Sequence, residues 1–132
     1  MAEPRTVLLV DDDRDFLEAV RLVLEAAGHR VLAAHSGEEA IALLRQHRVE
    51  VAVLDLMMEE PDAGVRVAHH LRRQPEMAGV PVILATAVTE KTGFRVSLDD
   101  PEEREWLQVD AWVDKPVSPE ALLREIERLT HG

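Results

Sequence analysis

Short apolar runs alternate along the chain with segments in which apolar residues recur at helical spacing. Because strands that alternate with helices join into parallel sheets through right-handed crossovers, this pattern predicts an α/β domain with a singly or doubly wound sheet. The predicted strands cover residues 7–10, 30–34, 51–54, 81–85 and about 111–113, and a helical segment follows each of them.

The first two helices carry recognisable start and stop signals. Either Asp12 or Asp13 can cap the first helix, which we expect to end at Gly28. Ser36 and Glu39 have the spacing of a capping box, in which a hydroxyl and a carboxylate satisfy the free backbone N–H groups of a helix start. The sequence therefore predicts the start of the first helix to within one residue and the start of the second at Ser36.

The later helices have fewer start and stop signals in the sequence. A third helix is predicted from about Ala63 to Arg73, and the last from Ser118, with a proline at its first helical position. Between the fourth and fifth strands, Asp100-Pro-Glu-Glu103 has the pattern of a short helix start. The stretch at 88–99 before it is predicted to be a loop that enlarges this connection.

Length and composition agree with a single α/β domain. The chain has 132 residues, of which 46% are hydrophobic and only 3% aromatic, as expected for a buried parallel sheet covered by aliphatic helices. We expect one domain over residues 1–132, with no room for a separate effector domain. Because there is no cysteine, disulfides, thiolate metal sites and cysteine nucleophiles are excluded.

Charge and hydropathy narrow the class of partner. The net charge of −11 repels phosphate backbones and no Lys/Arg run interrupts it, so nucleic acid is not an expected partner. No apolar run approaches the roughly 20 residues of a membrane span, and the N-terminus lacks a signal-peptide pattern. We therefore predict a cytoplasmic protein without a membrane partner. The six histidines, including His29, show no metal-ligand spacing and are expected to be solvated.

Polar residues stand at the ends of four predicted strands. Asp11 and Asp12 follow the first strand, Asp55 the third, Thr86 the fourth and Lys115 the fifth. Open parallel sheets bind their ligands beyond the carboxyl ends of the strands, so these residues are expected to meet at one edge. Each of them taken alone could be a helix cap, a strand residue or a turn residue. Together they indicate a site.

Three clustered carboxylates repel one another and need a proton or a cation. Oxygen ligands favour Mg²⁺, which takes one or two carboxylates and leaves room for phosphate oxygens. An aspartate can also attack phosphorus, and an ammonium and a hydroxyl can neutralise the oxygens of the transferred group. The sequence therefore predicts a Mg²⁺-dependent site that accepts a phosphoryl group.

The chain resembles the receiver domain of two-component response regulators, of which the chemotaxis response regulator is a familiar single-domain example. This resemblance covers nearly the whole chain and implies a doubly wound, five-stranded (βα)5 fold with the flavodoxin-like strand order 2-1-3-4-5. The matching stretches are Val7-Leu-Leu-Val-Asp-Asp-Asp13, Val53-Leu-Asp-Leu-Met-Met58, Val82-Ile-Leu-Ala-Thr-Ala87 and Trp112-Val-Asp-Lys-Pro116.

The resemblance also implies a role for each carboxylate. Asp55 is the implied phosphoacceptor. Asp11 and Asp12 are the implied acidic pair that binds Mg²⁺, and Asp55 and the main-chain carbonyl of Met57 complete the protein ligands. Asp55 thus differs from the other two carboxylates, because it is the group that the metal pair serves.

The remaining implied roles concern signal output. By the resemblance, Lys115 pairs with the phosphoryl group and Thr86 senses it through its hydroxyl. Trp112 stands where receivers usually carry Tyr or Phe, the aromatic residue whose rotation follows the hydroxyl residue. The implied partners are a sensor histidine kinase and an unknown downstream protein, and the implied state is a monomer or a phosphorylation-dependent dimer.

Three functions remain open at this point. The first is a signalling switch that is not an enzyme for other substrates but takes part in its own phosphorylation and dephosphorylation at Asp55. The second is a haloacid-dehalogenase-like phosphatase, for which Asp11 to Asp13 supply an Asp-x-Asp pattern, although Asp15 stands where that family needs Thr or Val. The third is a receiver that only docks partners.

Overall fold

The computed structural model of the chain describes residues 4–55, 63–86, 110–114 and 117–130. The predicted short helix at 100–103 and the loop at 88–99 lie outside these ranges. No helix in the described ranges is long and apolar enough to cross a membrane. The described elements are β1 Thr6–Val10, α1 Arg14–Ala26, β2 Arg30–Ala34, α2 Gly37–Gln46, β3 Val51–Leu54, α3 Ala63–Arg73, β4 Val82–Thr86, β5 Ala111–Asp114 and α4 Pro119–Thr130.

The five strands form one parallel sheet in the order β2-β1-β3-β4-β5. The chain thus moves outward from β1 to β2, returns to the other side of β1 at β3, and continues to β5. This confirms the doubly wound, flavodoxin-like order and excludes the singly wound alternative. The reversal creates a crevice between the ends of β1 and β3, where sheets of this kind bind ligands.

Each face of the sheet has its own apolar core. Along β1, Val7 and Leu9 pack towards α1 and α4, whereas Leu8 and Val10 pack towards α2 and α3. All four side chains are at most 2% exposed. Because both faces are covered, the strand reads as a continuous apolar run and not as an alternating one, which is why its position is evident from the sequence.

Helix α1 begins and ends where its sequence signals predict. Asp13 is the N-cap, and its carboxylate accepts a hydrogen bond from the backbone N–H of Phe16 at 3.2 Å. At the other end, the N–H groups of Gly28 and His29 donate to the carbonyls of Glu25 and Leu24, at 2.9 and 3.0 Å. This is a Schellman motif, and it requires the positive φ of 96° that Gly28 adopts.

Helix α2 is capped by a variant of the predicted capping box. The Ser36 hydroxyl accepts the N–H of Glu39 at 3.1 Å, as predicted. The Glu39 carboxylate, however, accepts the N–H of His35 at 3.1 Å, one residue before the N-cap. The Glu39 carboxylate also lies 3.2 Å from the His35 ring. Because both contacts are with His35, the carboxylate binds the N–H of that residue and not the N–H of the N-cap.

Ser36→Ala is expected to lower the free energy of unfolding by about 1 kcal/mol, because the N–H of Glu39 loses its protein acceptor. Equilibrium urea denaturation checks this value. Ala42→Ser, an exposed substitution on the same helix, serves as the control and should cost about 0.5 kcal/mol or less from helix propensity. Equal losses in the two variants would contradict a capping role for Ser36.

His29 is buried, so the expectation that it is solvated is wrong. Only 3% of His29 is exposed to solvent, and its ring contacts both the residue before β1 and helix α4. Nδ1 accepts the backbone N–H of Arg5 at 3.0 Å, and Nε2 lies 3.2 Å from a carboxylate oxygen of Glu127. The Schellman turn at Gly28 directs the His29 side chain inward. The spacing between histidines in the sequence does not reveal this direction. The ring thereby joins the start of β1 to α4.

Arg72 joins α3 to the approach to β5. Its guanidinium donates to the carbonyls of Ala78 and Val80, at 2.9 and 2.7 Å, and lies 3.6 Å from the Asp110 carboxylate. That carboxylate also accepts the N–H of Val82 at 2.8 Å. Burial lowers the pKa of Arg72, and the nearby Asp110 carboxylate opposes this effect. The start of β4 and the residue before β5 are therefore held together.

Candidate functional site

Asp11 and Asp55 lie in the crevice at the carboxyl ends of β1 and β3. The N–H of Asp11 donates to the carbonyl of Ala34 at 3.1 Å, and the N–H of Asp55 donates to the carbonyl of Val10 at 2.9 Å. Each aspartate thus continues the hydrogen bonding of its strand by one residue. The two residues are only 2% and 5% exposed, so sheet pairing holds both carboxylates at defined positions in a buried setting.

Asp12 adds a third carboxylate from the solvent side. Ligand oxygens of Asp11, Asp12 and Asp55 all lie within 4.8 Å of one another. Opposite oxygens around Mg²⁺ are about 4.2 Å apart at normal bond lengths, so modest rotation of exposed Asp12, or an intervening water, would bring the set to that geometry. Because all the ligand atoms are hard oxygens and the charges repel, the set fits Mg²⁺.

Asp13 supports this set without belonging to it. Its backbone N–H donates to the Asp11 carboxylate at 2.9 Å, while its own carboxylate caps α1. One turn therefore both starts the helix and orients the buried aspartate. From the sequence, Asp13 is only a candidate cap for the first helix. The spacing to Phe16 identifies the cap, but no sequence signal reveals that the amide contacts Asp11.

The floor of the crevice is apolar. The space beneath Asp11 and Asp55 has no room for a water molecule. Such a floor excludes water from below and strengthens electrostatic interactions at the carboxylates. Half-buried Phe16 is part of this floor, although its helical spacing predicts only that it faces the core. The apolar lining residues are Leu9, Val10, Phe16, Leu17, Val53, Leu54 and Ala85.

The backbone carries Thr86 to the same edge of the sheet. Leu54 pairs with Leu84, so Asp55 and Thr86 stand one and two residues beyond a shared register position on neighbouring strands. Thr86 in turn pairs with Asp114, the last residue of β5. The side chains of Thr86 and Trp112, and the residues Met57 and Lys115, lie outside the described part of the chain, so their roles stay predictions.

Comparisons with known proteins agree with this arrangement. The response regulator receiver domain model matches residues 7–127. Protein PilH of Pseudomonas aeruginosa is 30% identical over 130 residues, covering 96% of this chain and 98% of that protein. The chemotaxis response regulator CheY4 of Vibrio cholerae has a similar structure, with a TM-score of 0.81 and 28% identity over 96% of this chain and 99% of that one.

Other relatives are longer than this chain. The transcriptional regulatory protein GltR of Pseudomonas aeruginosa is 30% identical over 128 residues, which is 97% of this chain but 50% of that protein. The chain thus spans about half the length of the first curated relatives that it matches. The matched part is in each case long enough to include the whole α/β sheet. By its fold, its carboxylate cluster and these matches, the chain belongs to the response regulator receiver domain family of two-component signalling.

Proposed function

We propose that this receiver domain is a phosphorylation-dependent signalling switch that accepts a phosphoryl group from a sensor histidine kinase onto Asp55. The observation that supports this most strongly is the meeting of buried Asp55 with Asp11 and Asp12, whose oxygens lie within 4.8 Å of one another at the ligand-binding edge of the sheet. Among these carboxylates, Asp55 is held by β3 at the centre of the sheet, and the other two approach it from the β1 side.

In this proposal Asp11, Asp12, Asp55 and the Met57 carbonyl would hold Mg²⁺, which would neutralise negative charge on the phosphoryl oxygens when bound. A carboxylate oxygen of Asp55 forms a bond to phosphorus while the bond from phosphorus to the kinase histidine nitrogen breaks, and the histidine keeps that electron pair. The ammonium of Lys115 pairs with another phosphoryl oxygen. Water later attacks the phosphorus and releases phosphate, which restores the Asp55 carboxylate.

Signal output in this proposal depends on Thr86 and Trp112. The Thr86 hydroxyl approaches the new phosphoryl group, Trp112 follows it, and a downstream protein recognises the altered surface. The proposed switch is cytoplasmic and acts as a monomer or as a phosphorylation-dependent dimer. The β4–β5 pairing supports this route, because it places Thr86 beside the end of the strand that carries Trp112.

One incubation distinguishes the switch from its two rivals. The intact protein is mixed with acetyl phosphate and Mg²⁺ and its mass is followed, with released phosphate measured in parallel. The proposal predicts a single phosphoryl adduct that does not form when EDTA removes the metal. Continuous phosphate release without an adduct would favour the phosphatase, in which Asp11 is the nucleophile. No reaction at all would favour a receiver that only docks partners.

Mg²⁺ is expected to stabilise the folded chain, because the unfolded chain does not assemble the three carboxylates. At a free concentration 100 times the dissociation constant, the gain is about 2.7 kcal/mol. Thermal denaturation with and without Mg²⁺ measures it. Asp12→Ala should abolish most of the gain, whereas Asp15→Ala, which removes an exposed carboxylate of α1 outside the cluster, should retain it. Equal responses in the two variants would contradict the proposed ligand set.

A further inference from the structure

Helix α3 carries many basic side chains over residues 66–73. In this range the three core side chains are apolar, and all five remaining side chains are arginine or histidine. This stands out in a chain whose net charge is −11. The core residues are Val67, Ala68 and Leu71, and the others are Arg66, His69, His70, Arg72 and Arg73.

This arrangement is unfavourable for the isolated helix. Arg66 and His70 are four residues apart, as are His69 and Arg73, and like charges at this spacing destabilise a helix when the histidines are protonated. Basic residues in the last turn favourably oppose the helix dipole, which explains Arg73. The same dipole disfavours Arg66, which lies in the first turn. Arg66 and His69 make further contacts of their own, so the charge of α3 that remains for a ligand lies in its last turn.

Helix α2 extends the basic surface. It packs beside α3, and Arg45 in its last turn is close enough to act on His70. Burial, followed by the positive charges of Arg45 and Arg73, lowers the pKa of His70. Arg45 and Arg73 are both exposed, and neither makes an ion pair with another described residue. Their positive field is therefore available to a ligand.

Arg72 does not take part in this surface, because its guanidinium turns inward to the carbonyls of Ala78 and Val80. We define the basic patch as Arg45, His70 and Arg73, which lie in the last turns of α2 and α3. Helices α2 and α3 run antiparallel to the strands that precede them, so Arg45 and Arg73 lie towards the edge opposite to Asp55. The basic patch is thus separate from the proposed phosphoacceptor site.

We propose that the basic patch is a docking surface for a short acidic segment of a partner protein. Charge complementarity selects an acidic ligand, and the ligand is short because the patch is confined to the last turns of two neighbouring helices. At physiological ionic strength charges act over about 8 Å, so a short segment feels mainly the patch. The net charge of −11 repels larger anionic partners, because these extend beyond the patch. Such partners include duplex DNA, an anionic membrane and a second copy of this chain.

Fluorescence anisotropy with a fluorescein-labelled peptide of four glutamates tests this directly. Two double variants remove the same charge: Arg45→Gln with Arg73→Gln in the patch, and Arg30→Gln with Arg124→Gln at exposed positions elsewhere. We expect the patch variant to bind about five- to tenfold more weakly than wild type, and the control variant to bind almost normally. Added salt should weaken wild-type binding.

A second measurement reports on the patch itself. NMR titration of the His70 ring should show a higher pKa with the glutamate peptide bound, because its carboxylates oppose the charges of Arg45 and Arg73. Three outcomes would overturn the proposal: no binding by wild type, equal weakening in both double variants, or an unchanged His70 pKa at saturation. Tighter binding to duplex DNA or to phosphatidylserine vesicles, or a peptide-independent dimer lost in the patch variant, would likewise refute the proposed ligand.

Discussion

Asp55→Ala is expected to yield no phosphoryl adduct with acetyl phosphate and Mg²⁺ under conditions that label the wild-type protein. The reason is chemical: alanine offers no oxygen to form the bond to phosphorus, and the other two carboxylates are assigned to the metal. Because the position is buried at the end of β3, no neighbouring side chain of that strand can substitute. Intact-mass analysis of the variant measures the loss.

The same variant should remain folded, which separates lost chemistry from lost structure. Removing one of three close carboxylates relieves repulsion when no Mg²⁺ is present, so its free energy of unfolding should equal or exceed that of wild type. Urea denaturation in EDTA checks this. Asp15→Ala is the matched control and should be labelled normally. An adduct that persists in folded Asp55→Ala would contradict the assigned acceptor.

Leu24→Ala is expected to lower the free energy of unfolding by about 2–5 kcal/mol, a large part of the roughly 5–15 kcal/mol that stabilises a typical domain. Leu24 is fully buried in the core between the sheet and helices α1 and α4. Truncation removes apolar contacts and leaves a cavity at the point where the Schellman turn fixes the backbone. The surroundings therefore have little freedom to collapse.

Leu22→Ala is the control for this prediction, since it makes the same substitution two residues away on the same helix. Leu22 is 57% exposed, so its truncation should change the free energy of unfolding by about 0.5 kcal/mol or less. Urea denaturation of both variants, with similar dependence on denaturant concentration, gives the comparison. A difference between them of less than about 1 kcal/mol would contradict the assignment of Leu24 to the core.

The strands were the most predictable part of the fold. Each is an apolar run whose two faces are both covered, so burial marks it directly, and Gly28 and Asp13 mark the ends of α1 because their local chemistry is specific. The order of the strands in the sheet could not be predicted in this way. It depends on how distant segments pair, which periodicity does not encode, and only the resemblance supplied it.

The candidate site was predictable because its residues all directly follow strands. Asp11, Asp12 and Asp55 reach the same edge once the sheet is parallel, and the pairing of β1 with β3 then brings them together. The contacts made by turns were not predictable. The amide of Asp13 contacts Asp11, and His29 turns inward to Glu127, through backbone geometry that residue identity alone does not reveal.

The basic patch also escaped a linear reading. His70 and Arg73 are separated along the chain by the core residue Leu71, so the sequence shows no run of exposed positive charges. Helical periodicity gathers them on one surface, and packing adds Arg45 from α2. Net charge alone therefore describes this chain incompletely.

Asp55 is assigned as the residue that accepts the phosphoryl group, and locating that group in the labelled chain tests the assignment most directly. After labelling with acetyl phosphate and Mg²⁺, borohydride reduction converts an aspartyl phosphate into homoserine, and tandem mass spectrometry of the digested chain finds its position. The account predicts homoserine at position 55 and at no other aspartate. Homoserine at position 11 or 12, or a phosphoryl group retained on a histidine or serine, would contradict it.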